Sequence, residues 1–310
     1  MSGADGSRHF GLDLGATNLK WAVLERTGES WSVLDRGQVP TSATDGADAV
    51  VARMAGLAEQ ARRDWPRIGS VGVGVPGLFN AAAGVTTFLP NLPPDWSGHP
   101  VTGPMRARLG LPVELINDAR AFGLAELRLG AGRGCRTMVG LVLGTGVGGV
   151  VVIDGRVHFG HDGTGGESGH QTILPDGPPC TCGNQGCLEA LTRADAVAAA
   201  CGTSTADEAV RAARAGDGRA LEGLAHVGRW LGIGISNLIV VLTPDRVVLG
   251  GGVAAAGELL LEPIRAEVRR RVHVTSLDAV EIVAGELATF AGAIGAGVHG
   301  AEAAARTVVS

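Results

Sequence analysis

The sequence predicts an α/β protein made of two related halves. The order strand, glycine-rich turn, strand occurs near the start of the chain and again from residue 137, and strand-length apolar runs alternate with stretches of helical periodicity. Composition agrees: of 310 residues 45% are hydrophobic and 18% charged, enough apolar side chain for real cores and too little charge for a disordered chain. Glycine is the odd component, with 50 residues where a usual share is about 7%. No Gly-X-Y period runs through them, so they must serve turns and close backbone approaches.

The elements follow in order. Residues 9–13 and 19–25 read as strands split by Gly15-Ala16-Thr17, and 31–39 as a third. Val50, Met54, Leu57 and Ala61 share one face of a helix over 45–65. A buried strand at 71–75 runs into Pro76-Gly77, and turn-rich sequence continues through Pro90-Asn91-Leu92-Pro93-Pro94. The strand 113–116 ends at Asn117-Asp118, where a helix to about residue 129 begins with a carboxylate that its dipole favours. In the second half, a strand at 138–143, a glycine cluster at 144–149 and a strand at 150–153 precede a loop, 166–189, that holds three cysteines. Helical sequence dominates 188–241, and a strand covers 246–249. Gly250-Gly251-Gly252 then opens a helix to about 271, a short strand follows at 281–284, and a helix closes the chain near Arg306.

A net charge of −5 argues against nucleic acid as the main partner, because that role needs surplus Lys and Arg on one face. It leaves a small anionic ligand open. Residues 1–9 lack the apolar run of a signal peptide, and the richest apolar stretch, 232–242, is short and flanked by Arg229 and Asp245. A cytoplasmic protein without a membrane partner is expected.

Four motifs carry chemistry. Asp13-Leu14-Gly15-Ala16-Thr17 can present backbone N–H groups and a hydroxyl to a phosphate while Asp13 faces its counter-cation; alone, it fits a plain hairpin with a solvated aspartate equally well. Gly144-Thr145-Gly146-Val147-Gly148-Gly149 matches G-x-G-x-x-G, but a strand and not a helix follows it. It is therefore a hairpin able to clamp phosphates and not a dinucleotide turn. Gly250, Gly251 and Gly252 would place N–H donors at a helix N-terminus and let a nucleotide pack on bare backbone; a tight strand-to-helix turn explains them as well. The strongest signal is His170-x9-Cys180-x-Cys182-x4-Cys187. Three thiolates and an imidazole suit a closed tetrahedral zinc site with no open position for a catalytic water, hence a structural metal. Cys135 and Cys201 lie outside it and read as ordinary buried residues.

Taken together, these residues resemble the ROK family of bacterial repressors and sugar kinases, within the actin-like ATPase and sugar kinase superfamily. The resemblance spans nearly the whole chain. It rests on the Asp13–Thr17 turn, Asn117-Asp118-Ala119, the 144–149 loop, and Gly166-Glu167-Ser168-Gly169-His170 leading to Cys180-Thr181-Cys182-Gly183-Asn184-Gln185-Gly186-Cys187-Leu188-Glu189, all in family order. It implies a two-lobed actin-like ATPase (ribonuclease H-like) fold with a cleft between the lobes. A smaller lobe would cover 1–117, with a helix of about 297–310 packed back on it, and a larger lobe 118–296 would carry the zinc motif.

The resemblance further implies ATP-dependent phosphorylation of a hexose, with glucose at its 6-hydroxyl as the default. Another hexose, N-acetylmannosamine or a sugar-like cyclitol is the alternative substrate, and polyphosphate the alternative donor. Asp118 would be the general base. Gly77, Asn91, Asn117, Glu167, His170 and Glu189 would line the sugar pocket, with His170 also on zinc. Asp13 would support Mg²⁺, Gly15, Thr17, Gly144, Thr145 and Gly146 would hold phosphates, and the turn from Gly250 to Gly252 would lie beside the adenosine. Family members are often dimers or tetramers. The family's sugar-sensing regulators carry a DNA-binding domain before the first phosphate motif, and here Asp13 stands almost at the start, so a kinase is expected. Ala16, Arg120, Val150 and Ser168 depart from the common pattern. Arg120 and Ser168 adjoin the sugar residues and so bear on substrate choice.

Overall fold

A computed structural model of the chain describes residues 6–309. In chain order the elements are β1 (Ser7–Leu14), β2 (Asn18–Thr27), β3 (Ser30–Pro40), α1 (Ala47–Asp64), β4 (Ile68–Val75), β5 (Leu78–Asn80), β6 (Val85–Phe88), α2 (Thr102–Leu109), β7 (Val113–Asn117) and α3 (Asp118–Leu129). They continue with β8 (Met138–Leu143), β9 (Val147–Ile153), β10 (Arg156–Val157), α4 (Leu188–Thr192), α5 (Ala194–Cys201), α6 (Ala206–Arg214), α7 (Gly218–Leu242), β11 (Arg246–Gly250), α8 (Glu258–Arg271), β12 (Glu281–Ala284) and α9 (Ala291–Val309). The chain forms two compact units: one ends at Leu129 and resumes at Thr289, and the other is Gly130–Ala288.

The first unit is built on the sheet β3-β2-β1-β4-β7, in which β1 pairs antiparallel with β2 and parallel with β4. Alternation along its central strands decides what covers each face. Phe10, Leu12 and Leu14 of β1 and Val71, Val73 and Val75 of β4 point into a core shared with Val50, Met54 and Ala58 of α1 and Met105 and Leu109 of α2. The intervening residues His9, Gly11 and Asp13, with Ser70, Gly72 and Gly74, are small or polar and occupy the other face, where α9 lies directly on backbone. A Cβ on Gly11 would stand 1.9 Å from the Ala293 carbonyl oxygen, and one on Gly72 1.7 Å from that of Ala296. Only glycine permits this approach.

The second unit repeats the plan with the sheet β10-β9-β8-β11-β12, again antiparallel on one side of its central strand and parallel on the other. Its core is made of side chains: Val139, Leu141 and Leu143 of β8 and Val247 and Leu249 of β11 meet Leu224, Val227, Leu231 and Ile235 of α7, and Leu260 and Ile264 of α8. Helix α7 is long and apolar enough to cross a membrane by composition, yet half of its apolar window is buried in this unit. It is a core helix.

Several elements differ from expectation. Helix α2 lies in 95–112, where no element is expected from the sequence; its Pro104 falls in the first helical turn, where a proline forfeits no hydrogen bond. Strand β9 begins at Val147 and absorbs Gly148 and Gly149, so the turn is only Gly144 to Gly146. Gly250 to Gly252 lead into a short 3₁₀ turn, Val253–Ala256; Gly257, at a φ of 62°, interrupts it and α8 starts at Glu258. Helix α9 begins at Ala291, earlier than about 297, and packs on α3, where a Cβ on Gly295 would stand 1.7 Å from the Ala121 carbonyl oxygen. This packing draws α3 into the first unit, so the units divide at 129/130 and 288/289 and not at the expected 117/118 and 296/297.

Candidate active site

In the first unit, β1 delivers Asp13 to its end, and the turn to β2 exposes Ala16 and Thr17. The Gly15 N–H donates to the Asn18 carbonyl at 3.1 Å, and the Thr41 hydroxyl donates to the Gly15 carbonyl at 2.6 Å, which pins the turn. The Asp13 carboxylate lies at the first turn of α9, where a Cβ on Gly292 would come within 2.8 Å of it. Burial pushes this carboxyl above its ordinary value, and Lys20, its partner across the β1–β2 ladder, pulls the other way. A carboxylate under such strain, beside helix N–H dipoles, suits a site that a cation completes.

Strand β7 hands over to α3 at Asn117-Asp118. The Asn117 Oδ1 accepts from the Ala119 N–H at 3.0 Å, the Arg120 N–H at 3.3 Å and Arg120 Nη1 at 3.0 Å, while its Nδ2 donates to the Gly77 carbonyl at 3.2 Å. Asp118 is half-buried, and its Oδ1 accepts from the Ala119 N–H at 2.8 Å. Gly77 has a φ of 98°, and a Cβ there would meet the Phe88 carbonyl oxygen at 2.3 Å and Pro90 Cδ at 2.9 Å. It therefore ties Asn117 to the segment just before Asn91, itself exposed on its loop.

In the second unit Glu189 is the junction. Buried at the start of α4, its Oε2 accepts from the Val147 N–H at 2.9 Å, and its Oε1 accepts from the Thr181 hydroxyl at 3.2 Å and faces Cys180 Sγ at 3.5 Å. One carboxylate thus joins the Gly144-Thr145-Gly146 turn to the cysteine loop. Glu167 stands half-buried before the 3₁₀ turn Ser168–His170, which lies against β9. Gly149 allows that approach, since a Cβ there would meet the Gly166 carbonyl oxygen at 2.3 Å. Gly251, at a φ of 86°, presses the 250–252 turn against Leu143, the last residue of β8, where a Cβ would stand 2.2 Å from its carbonyl oxygen. Without a following α-helix these glycines offer close backbone rather than a helix terminus.

The ligand atoms of His170, Cys180, Cys182 and Cys187 all lie within 4.8 Å of one another. Cys182 Sγ and Cys187 Sγ are 3.8 Å apart, and Cys180 Sγ is 3.7 Å from His170 Nδ1. Zinc–sulfur bonds of about 2.3 Å at the tetrahedral angle place two sulfurs about 3.8 Å apart. The residues therefore fit a four-coordinate metal. Burial pushes the Cys180 thiol up to about 12 and also raises Cys187, whereas the Asn184 N–H lowers Cys182. Metal uptake must therefore release protons. Cys135 and Cys201 are buried outside the cluster, as expected.

Two residues escaped sequence reasoning. Thr181, between two cysteines, carries no signal of its own. For Gly292 the one signal is the run of small residues at 292–300, one face of which lies on the sheet.

Two sheets of like strand order, each with a glycine-containing turn between its first two antiparallel strands, define the two-lobed actin-like ATPase fold class. Solved structures agree: a ROK hexokinase from Thermus thermophilus is 35% identical with a TM-score of 0.82, covering 96% of this chain and 99% of its own. A ROK glucokinase from Streptomyces griseus, in complex with glucose and AMPPNP, is 29% identical with a TM-score of 0.80 over 96% of this chain and 100% of its own. A glucokinase of Thermotoga maritima is 35% identical over 93% of this chain and 95% of its own length. The ROK family profile matches residues 9–299, and the chain belongs to the ROK family.

Proposed function

We propose that this ATP-dependent carbohydrate kinase transfers the γ-phosphoryl group of ATP to the 6-hydroxyl of glucose, with Asp118 as general base. The observation that carries the reading is the Asn117-Asp118 pair at the head of α3, where a half-buried carboxylate and an oriented carboxamide stand side by side. A sugar hydroxyl is a poor nucleophile. Asp118 accepts its proton as the oxygen bonds to the γ-phosphorus and ADP leaves. The glucokinase likenesses over nearly the full length support the substrate.

Gly77, Asn91, Asn117, Glu167, His170 and Glu189 would line the sugar pocket, where each unmet hydroxyl would leave a buried polar group unpaired. Gly15, Thr17, Gly144, Thr145 and Gly146 would hold phosphates through N–H and hydroxyl donors, and Gly250, Gly251 and Gly252 would flank the adenosine. Mg²⁺, supported by Asp13, supplies charge neutralisation to the phosphates. Zinc, held by His170, Cys180, Cys182 and Cys187, would stabilise the loop that carries Glu167 and Glu189 and take no part in the reaction. The reading includes a cytoplasmic homodimer or homotetramer with neither nucleic-acid nor membrane partner.

A coupled assay over glucose, other hexoses, N-acetylmannosamine and cyclitols, with ATP or polyphosphate as donor, tests it. The highest kcat/KM is expected with glucose and ATP, yielding glucose 6-phosphate. A higher value with a cyclitol, with an amino sugar or with polyphosphate overturns the assignment.

A further inference from the structure

We propose that Arg120 is a positioning residue that locks the Asn117 carboxamide, so that Asn117 meets the sugar only as a hydrogen-bond donor. The inference rests on the reading of Asn117 as a sugar contact. Arg120 lies in the first turn of α3 with 1% of its surface exposed. A carbonyl oxygen has two lone pairs, and the Asn117 Oδ1 already faces three donors: the N–H groups of Ala119 and Arg120 and the Arg120 guanidinium, none farther than 3.3 Å. Turning the carboxamide over would set its NH₂ against those same donors, one of them a full positive charge. The opposite end faces the Gly77 carbonyl at 3.2 Å, which only an N–H can satisfy.

The two backbone donors come with any helix that starts here. Of these, the Ala119 N–H is shared with the Asp118 Oδ1 at 2.8 Å and the Arg120 N–H stands at 3.3 Å, so the guanidinium, supplied by side-chain choice, occupies the acceptor capacity that a sugar hydroxyl could otherwise use. One Nδ2 proton is on Gly77, leaving the second as what Asn117 can offer a ligand. The sugar hydroxyl that meets it must accept there, so its own proton is free to go to another acceptor. A substituent that can only donate, such as a protonated amine, is refused at that position.

The test is steady-state kinetics with glucose on Arg120→Met, Arg120→Gln and Asn117→Ala, with the Asn117→Ala/Arg120→Met double variant, after melting curves confirm folding. Loss of the lock should raise the KM of Arg120→Met about tenfold, the worth of one oriented hydrogen bond, while kcat changes less. Arg120→Gln, which keeps an N–H donor, should recover most of the difference. In the Asn117→Ala background Arg120→Met should change KM less than twofold. An equal KM effect of Arg120→Met with and without Asn117 overturns the positioning role alone; an unchanged KM in Asn117→Ala overturns it together with the sugar-site reading. Should Arg120→Met fail to fold, Asn117→Asp decides. It keeps an acceptor for the arginine and replaces the donor with a charged oxygen that faces the Gly77 carbonyl, so once folding is confirmed it should lose glucose affinity, and a wild-type KM overturns the proposal.

Discussion

The two units share a strand order and differ in how a helix is laid on the sheet. In the first, α9 rests on bare backbone, with Gly11 and Gly72 beneath it and Gly295 against α3. In the second, α7 and α8 meet the sheet through Leu224, Leu231, Ile235, Leu260 and Ile264. Close backbone packing leaves no side chain to remove and no room for one, whereas side-chain packing leaves room to lose volume. The sites differ in kind too. The first unit offers two carboxylates at element ends, Asp13 and Asp118, and the second a carboxylate tied to a phosphate turn and a metal cluster. On the proposed reading the general base lies in the first unit, whereas the second unit supplies holding groups only.

Asp118→Ala should break that division most severely, lowering kcat by about 10²- to 10⁴-fold while glucose binding by calorimetry persists; wild-type turnover removes Asp118 as the base. Glu189→Gln, in the holding unit, should act mainly on KM, since its Val147 and Thr181 donors hold the phosphate turn and not the reacting proton. In packing, Leu231→Ala should cost about 2–5 kcal/mol through a cavity, and Gly72→Ala about 1–3 kcal/mol or more through overpacking. Hydrogen exchange should localise the loosening to α7 and α8 in the first variant and to β1, β4 and α9 in the second. Exchange spread evenly over both units would dissolve the contrast.

Removing the metal should touch only the second unit. Chelation is expected to release about one zinc per chain and to lower its melting temperature by about 5 °C, with amides of β1 and β4 unaffected. A metal-free protein of equal stability rules the site out. The smallest effect is acid sensitivity of the first unit. Burial holds both His9 and His299 down at about 4, against an ordinary 6.5. Between those values the unfolded chain binds protons that the folded one does not, so the stability from these neutral rings is full above pH 6.5 and falls as the pH drops toward 4. At pH 5 the loss is on the order of 1–2 kcal/mol per histidine, and His299→Gln should reduce it in acid melts.

Much of the site was legible because it is local. The spacing of His170, Cys180, Cys182 and Cys187 determines a metal cluster within one loop, and Asn117-Asp118 marks a strand-to-helix junction whose capping depends only on neighbouring residues. Strand 138–143 announces itself by a continuous apolar run. Helix α2 did not, because eight residues that include Gly103 and Pro104 carry too little apolar periodicity to mark a helix. The end of the 144–146 turn was also hidden. Gly148 and Gly149 extend the strand by pairing with Val142 and Leu141 of β8, and Gly149 leaves room for the 166–168 backbone.

By itself, then, the sequence determined the α/β class, the duplicated strand order, the His170, Cys180, Cys182 and Cys187 cluster and the pair at the head of α3, all set by spacing over a few turns of chain. Tertiary structure alone decided where the units divide, that α9 passes over Gly11 and Gly72 to reach Asp13, and that Glu189 joins the phosphate turn to the cysteine loop. These contacts join residues far apart in sequence, and a glycine specifies room for a neighbour without specifying which one. Excess glycine announced close approaches, and the folded chain chose their partners.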